Sequence, residues 1–157
     1  MGNGTTAREF AALYEEVYQD MYKCAQYTLG HPQDAEDVVS EAIIDGYHSF
    51  GKLRRKESFR PWIFKILSVK CKRKLKEYVH KTAPLPEELS TDFPMDENLQ
   101  IRQAFGRLTD EERLIISMHL FGGYTSKETA RILHLKDATV RSKESRALQK
   151  MRTWLES

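Results

Sequence analysis

Apolar residues recur along this chain at helical spacing, and no stretch shows the alternation of a half-buried strand. Phe10, Leu13, Tyr14, Val17, Met21, Tyr22 and Ala25 follow the i, i+3, i+4, i+7 rule and predict a long helix over residues 10–29. Gly30 suits a C-cap and Pro32 the first turn of the next helix. That helix, residues 33–50, puts Ala35, Val38, Val39, Ala42, Ile43 and Tyr47 on one face, and Gly51 ends it. Ser58 is positioned as N-cap of a third helix that turns Phe59, Trp62, Ile63, Ile66, Leu67 and Leu75 inward. Residues 82–100 break the pattern with three prolines and read as a linker. Thr109-Asp110-Glu111-Glu112 then has capping-box spacing, opening a helix that carries Leu114, Ile115, Met118 and Phe121. The expected fold is all-α: two small helical domains, 8–81 and 101–157, joined by the linker 82–100.

The last stretch is the most specific. Thr125 and Glu128 form another capping box, ahead of a short helix with Ala130, Ile132 and Leu133 on its apolar face. Leu135 and Val140 fall where a second helix has to pack on the first, and the small Ala130 permits a close approach. The second helix carries Arg141, Lys143, Arg146, Lys150 and Arg152. Two short helices with a tight turn and a cationic second member are the anatomy of a helix-turn-helix, which lays its second helix in the DNA major groove.

Charge sharpens the picture because it is unevenly placed. The net charge is only +2, but residues 1–51 hold 2 Lys/Arg against 9 Asp/Glu and residues 52–81 hold 12 against 2. The linker holds none against 5, and residues 101–157 hold 11 against 7. Basic blocks suit a phosphate backbone, whereas the acidic first block suits a protein surface or solvent. The 19 residues of the linker can reach about 60 Å when extended, enough to seat the two domains on separate surfaces.

Other function classes find little support. His31, His48, His80, His119 and His134 form no metal-binding motif, and neither a glycine-rich phosphate loop nor a serine nucleophile elbow is present. Asp34, Glu36, Asp37 and Glu41 mimic part of a metal site but lack a histidine or a second carboxylate helix. No enzyme activity, metal or cofactor is expected. Cys24 and Cys71 are too far apart for a zinc knuckle and read as thiols of a reducing compartment. No stretch approaches the ~20 apolar residues of a membrane span. The segment MGNGTTAREF has no signal-peptide core, so a cytoplasmic protein is expected.

The strings DAEDVVSEA and SFRPWIFKI, followed by LTDEERLIISMHLFGGYTSKETARILHLKDATVRSK, closely resemble bacterial RNA polymerase sigma factors. The short chain and the direct passage between the two modules match the extracytoplasmic-function (ECF) group, over residues 8–79 and 101–155. The resemblance implies a region 2-like bundle, a region 4-like helix-turn-helix and a role in transcription initiation. It implies three binding partners: core polymerase, promoter DNA and a silencing anti-sigma factor.

The resemblance also implies residue roles. Docking on the clamp helices of the largest polymerase subunit would use Asp34, Glu36, Asp37, Val38, Glu41, Ile44 and Asp45, although acids there also complement the helix macrodipole. The start-proximal (minus-ten) element and the melted strand would meet Lys52, Arg54, Arg55, Arg60, Trp62, Lys65, Lys70, Lys72, Arg73 and Lys74. Phe59 and Trp62 sit at spacing that equally suits the core. The upstream (minus-thirty-five) element would meet Asp137, Ala138, Thr139, Arg141, Ser142, Lys143 and Arg146, with Arg141 and Lys143 suited to guanine edges or to phosphates.

Three positions depart from the family pattern. Val69 replaces a usual asparagine, which implies an atypical minus-ten preference. His134 replaces a turn glycine and should need positive φ. Lys136 replaces a Ser or Asn cap, leaving Asp137 to cap the last helix one residue later. A helix-turn-helix regulator that never joins polymerase shares the C-terminal pattern, but it leaves the basic third helix without a task.

Overall fold

The computed structural model describes residues 3–80 and 99–156, with side chains from 6–78 and 99–156. Among these residues are seven α-helices and no strand: α1 (Asn3–Leu29), α2 (Pro32–Ser49), α3 (Phe59–His80), α4 (Leu99–Gly106), α5 (Asp110–Leu120), α6 (Ser126–Leu133) and α7 (Asp137–Glu156). The all-α expectation holds. Of the linker, residues 82–98 lie outside the described residues, and Leu99 and Gln100 already open α4.

Local signals explain most of the boundaries. Gly30 stands at φ 73 and its N–H donates to Gln26 O at 2.8 Å, the left-handed C-terminal stop that glycine adopts without strain. Pro32 opens α2, where a missing N–H costs nothing. The helix stops at Ser49, and Phe50–Lys52 tightens into a 3₁₀ turn. Both capping boxes, Thr109 with Glu112 and Thr125 with Glu128, are formed reciprocally.

The helices α1, α2 and α3 pack as a bundle around Phe10, Val17, Met21, Val38, Ala42, Ile63 and Leu67. At Gly46 the helices approach so closely that a Cβ would lie 2.5 Å from Ile63 Cδ1. The helices α5, α6 and α7 form the second module. Its apolar residues Leu114, Ile115, Met118, Tyr124, Ala130 and Leu133 are continuous with the core of the first. A satellite core gathers Ala104, Phe105, Leu108, Ile116, Ala147 and Met151 of the second module around Tyr27 of α1. The two modules are therefore packed together, a relationship that the sequence left open. From Cys24 to Gly30 every residue is buried, because the end of α1 is covered both by its own bundle and by α5.

Candidate polymerase and nucleic-acid interfaces

The acidic helix α2 divides its charged residues between two environments. Glu36, Asp37, Glu41 and Ile44 are exposed, and Ile44 is 56% accessible, unusual for a side chain of its size. Asp45 is exposed too but pairs with Lys70 of α3. Asp34 is half-buried, accepts a hydrogen bond from Tyr78 and lies 3.9 Å from Lys74. Burial, together with that bond to Asp34, pushes the Tyr78 phenol far above its ordinary range, so it stays a donor. Val38 is 3% exposed and turned into the core, so it shapes the seating of α2 and offers no side chain to a partner. Asp37 and Glu41 line an open cleft whose far wall on α3 is Lys70, Arg73, Lys74 and Glu77.

The basic face of α3 is less uniform than its sequence suggests. Lys52, Arg54, Arg55 and Lys65 are exposed. Phe59 is 2% exposed and belongs to the core. Trp62 is half-buried, its ring 5.8 Å from Phe59, which leaves part of its surface open. Arg73 and Val69 are exposed, Val69 at 47%. Burial works to lower the Lys74 ammonium, but Glu77 at 3.2 Å and Asp34 outweigh it and hold its pKa above the ordinary value. Two cations face the other module. Lys72 donates to Leu133 O at 3.4 Å, and Arg60 donates to Phe121 O at 2.7 Å, Gly122 O at 3.3 Å and Asp20 at 3.1 Å.

In the C-terminal module, α6 and α7 make the expected helix-turn-helix. His134 stands at φ 59, ψ 42, the left-handed conformation anticipated from its place in the turn. Leu135 N–H donates to Ala130 O at 2.9 Å and His134 N–H to Arg131 O at 3.4 Å, the two bonds of a Schellman stop. The expectation for Asp137 needs correction. The helix α7 begins at Asp137, and Val140 N–H donates to Lys136 O at 3.1 Å, so Asp137 lies within the first turn and not at the cap. There its carboxylate complements the helix dipole.

Val140, fully buried, fixes the rotation of α7. That rotation exposes Asp137, Ala138, Arg141, Ser142 and Arg146, while Thr139 and Lys143 are half-buried. Lys143 lies 3.5 Å from Glu111 of α5, and Arg146 donates to Ser142 Oγ at 3.2 Å. Ser126 of α6 hydrogen-bonds Glu144 of α7, tying the two helices together beside the turn.

Comparison with known proteins places this arrangement. Residues 13–79 match the family Sigma-70 region 2, and residues 98–151 match Sigma-70, region 4. The ECF RNA polymerase sigma factor SigM of Mycobacterium tuberculosis is 25% identical over 142 residues, covering 88% of this chain and 72% of that protein. SigX of Bacillus subtilis, also an ECF RNA polymerase sigma factor, is 24% identical over 165 residues, covering 94% of this chain and 84% of its own. The chain belongs to the ECF group of sigma-70 factors. Its fold is similar, at TM-score 0.77 and 16% identity, to the sigma factor RpoE solved with the anti-sigma factor NepR from Bartonella quintana. That likeness covers 95% of this chain and 98% of that one. A second likeness, TM-score 0.66 at 19% identity, is to CnrH in complex with the cytosolic domain of CnrY, covering 96% of this chain and 89% of that one.

Some structurally decisive residues of this sigma factor had no signal in the sequence pattern. Arg113 is 4% exposed and donates to Thr28 O at 2.9 Å, Leu108 O at 2.7 Å and Asp110 at 2.7 Å. Burial pulls its guanidinium below the ordinary value while Asp110 opposes the shift. Tyr124 donates to Arg60 O at 3.2 Å from a buried position. Both hold the sigma factor's modules against each other. Among the described residues no group of three metal-ligating side chains occurs, and no helix is long and apolar enough to cross a membrane.

Proposed function

We infer that this sigma factor joins core RNA polymerase through the exposed part of α2, Asp37, Glu41 and Ile44 with Glu36 alongside. It places Asp137, Ala138, Arg141, Ser142 and Arg146 of α7 against the upstream promoter element. Arg141 and Arg146 are the cations best exposed there, and Lys143 serves from the flank. The loop cations Lys52, Arg54 and Arg55, with Lys65, Lys70, Lys72, Arg73 and Lys74 of α3, hold the start-proximal DNA, and Trp62 offers an aromatic surface to an unstacked base. Arg60 joins that set only when it is released from α5.

The chain makes and breaks no bond; it is an initiation subunit acting in the cytoplasm, where polymerase works. An anti-sigma factor is the proposed silencing partner, because the structurally similar sigma factor RpoE was solved in complex with the anti-sigma factor NepR. The single observation that carries this reading is the sorting of charge on one fold. Exposed acids lie on α2, and exposed cations lie on α3 and on the outer face of α7.

Pull-down of bacterial core polymerase with the purified chain, followed by run-off transcription on genomic fragments, tests it. Chain-dependent transcripts are expected. DNA binding without polymerase association would replace this reading with a helix-turn-helix regulator.

A further inference from the structure

We propose that Glu144 is the positioning residue of the recognition helix: its carboxylate, held by Ser126 of α6 beside His119 of α5, sets the tilt of α7 at which the upstream element is read. The proposal rests on the reading of α7 as the helix that meets that element. It starts from where Glu144 falls in the sequence. Val140, Glu144, Ala147, Met151 and Trp154 follow the spacing of one helical face. The other four pack into the apolar cores of the chain. Glu144 is a carboxylate at the position where that stripe calls for an apolar side chain.

A carboxylate on a packed face costs stability unless hydrogen bonds replace its water. The Glu144 side chain is only 13% exposed. Its Oε2 accepts a hydrogen bond from the Ser126 hydroxyl, and its Oε1 lies 3.7 Å from His119 Nδ1. That nitrogen is also 2.8 Å from the Tyr124 carbonyl, and a carbonyl only accepts, so Nδ1 carries a proton. Both neighbours are themselves fixed. Ser126 opens α6 directly after the Thr125 cap, whose capping box is closed in both directions. Tyr124 is buried, and its hydroxyl donates to Arg60 O at 3.2 Å. Glu144 therefore joins α7 to α5, to α6 and to the connection between them at one point.

The consequence for DNA reading is geometric. The buried residues of α7 are Val140, Ala147 and Met151, so Val140 alone anchors the N-terminal half that carries Arg141, Ser142 and Arg146. One apolar contact fixes rotation about the helix axis but acts as a pivot for tilt. Glu144 stands one turn beyond that pivot, and its bond to Ser126 supplies the second point. At a rise of about 1.5 Å per residue, Arg146 lies about 9 Å beyond Val140, and a tilt of about 10° moves it by about 1.5 Å. Hydrogen bonds to base edges do not survive such a shift, because their lengths vary by only a few tenths of an ångström. Contacts from long cationic side chains to phosphates do survive it. The mark of the positioning role is a loss of sequence preference with general DNA affinity kept.

The test uses the full chain assembled with core polymerase. This complex first selects its preferred duplexes from a random-sequence pool, and scrambling their upstream block gives the reference duplex. Fluorescence anisotropy then measures the ratio of the two affinities. Ser126→Ala and Glu144→Ala should each lower that ratio by roughly tenfold, with affinity for the scrambled duplex kept within about twofold. The double variant should lose no more than either single one, because both remove the same tie. Ser126→Thr and Glu144→Gln keep the hydroxyl donor and the oxygen acceptor, and should keep the ratio. Glu144→Leu completes the apolar stripe, so it should hold or raise Tm while still losing the ratio.

An unchanged ratio in Glu144→Leu, or a ratio that only follows Tm across the series, overturns the positioning role. Equal loss of affinity for both duplexes overturns it too, as does a loss in Glu144→Gln as large as that in Glu144→Ala, which would assign the effect to charge. In each of these cases the reading of α7 as the recognition helix stands. If scrambling the upstream block leaves the affinity of the unaltered complex unchanged, that reading fails and the proposal with it.

Discussion

Tyr27 of α1 packs its ring 4.7 Å, centroid to centroid, from Phe105 of α4, across the boundary between the two sigma modules. Phe121 stacks on the same tyrosine at 5.1 Å. Tyr27 thereby completes a core whose other buried members all belong to the C-terminal module. Replacing Phe105, fully buried, with alanine should cost about 3–5 kcal/mol, the range for deleting a buried aromatic ring. Urea denaturation should show a lower midpoint for the C-terminal module, with α1–α3 unfolding in a separate, later transition. A single unshifted transition would show that the ring contributes little to the coupling.

His134 should be improved upon by glycine. A side chain at φ 59 costs about 1–2 kcal/mol, and glycine recovers most of that while losing some unfolded-state restriction. His134→Gly is expected to raise stability by roughly 0.5–1 kcal/mol, or about 2–4 °C in Tm for a chain of this size. Differential scanning calorimetry measures it directly, and a lowered Tm would mean that the imidazole makes a compensating contact.

Acid should loosen the C-terminal module in a defined window. Burial acts to raise the Glu112 carboxyl, but hydrogen bonds from Lys150 and from Thr109 outweigh it, so its folded pKa lies below the ordinary value of 4.5. A depressed carboxyl contributes stability above its unfolded pKa and loses it as pH falls through the folded one. Stability should therefore decline below about 4.5. Glu112→Gln should be less stable at neutral pH and show a flatter decline in chemical denaturation across that range.

Charge reversal of the exposed acids should separate binding from folding. Asp37→Lys with Glu41→Lys sets like charge against Lys70, Arg73 and Lys74, so stability should fall by roughly 0.5–1 kcal/mol while the helical fold is kept. Retention of core polymerase on the immobilised chain should nonetheless be lost. Undiminished retention would move the polymerase contact off α2.

Arg141 and Lys143 should behave differently on DNA. Arg141 is exposed, and its replacement by alanine should cost roughly 1–3 kcal/mol at one base position if it reads an edge, or weaken all sequences alike if it holds phosphate. Lys143 starts from a contact with Glu111, so its loss should cost less. Gel-shift titrations over single-base variants of an upstream element distinguish these outcomes.

By itself the sequence determined what local chemistry can determine. One apolar stripe per helix, the capping boxes at Thr109 and Thr125, Gly30, Pro32 and the turn at His134 each act within a few residues. Helix order, the helix-turn-helix and the family could therefore be read directly from the chain. So could the blocks of charge that assign acids to α2 and cations to α3 and α7.

Tertiary structure alone decided how the modules meet. The periodic stripe of α1 reports the face that packs on α2 and α3, and carries no mark that Tyr27 and Thr28 will be covered from the other side by α4 and α5. Nor does an arginine in a basic block declare whether its donors will find a phosphate or the end of a helix. Arg60 reaches Phe121 O, 61 residues along the chain, and Arg113 reaches Thr28 O across 85. Such contacts depend on where whole helices come to rest, because a guanidinium accepts any well-placed oxygen and only the packed fold decides which oxygen is near.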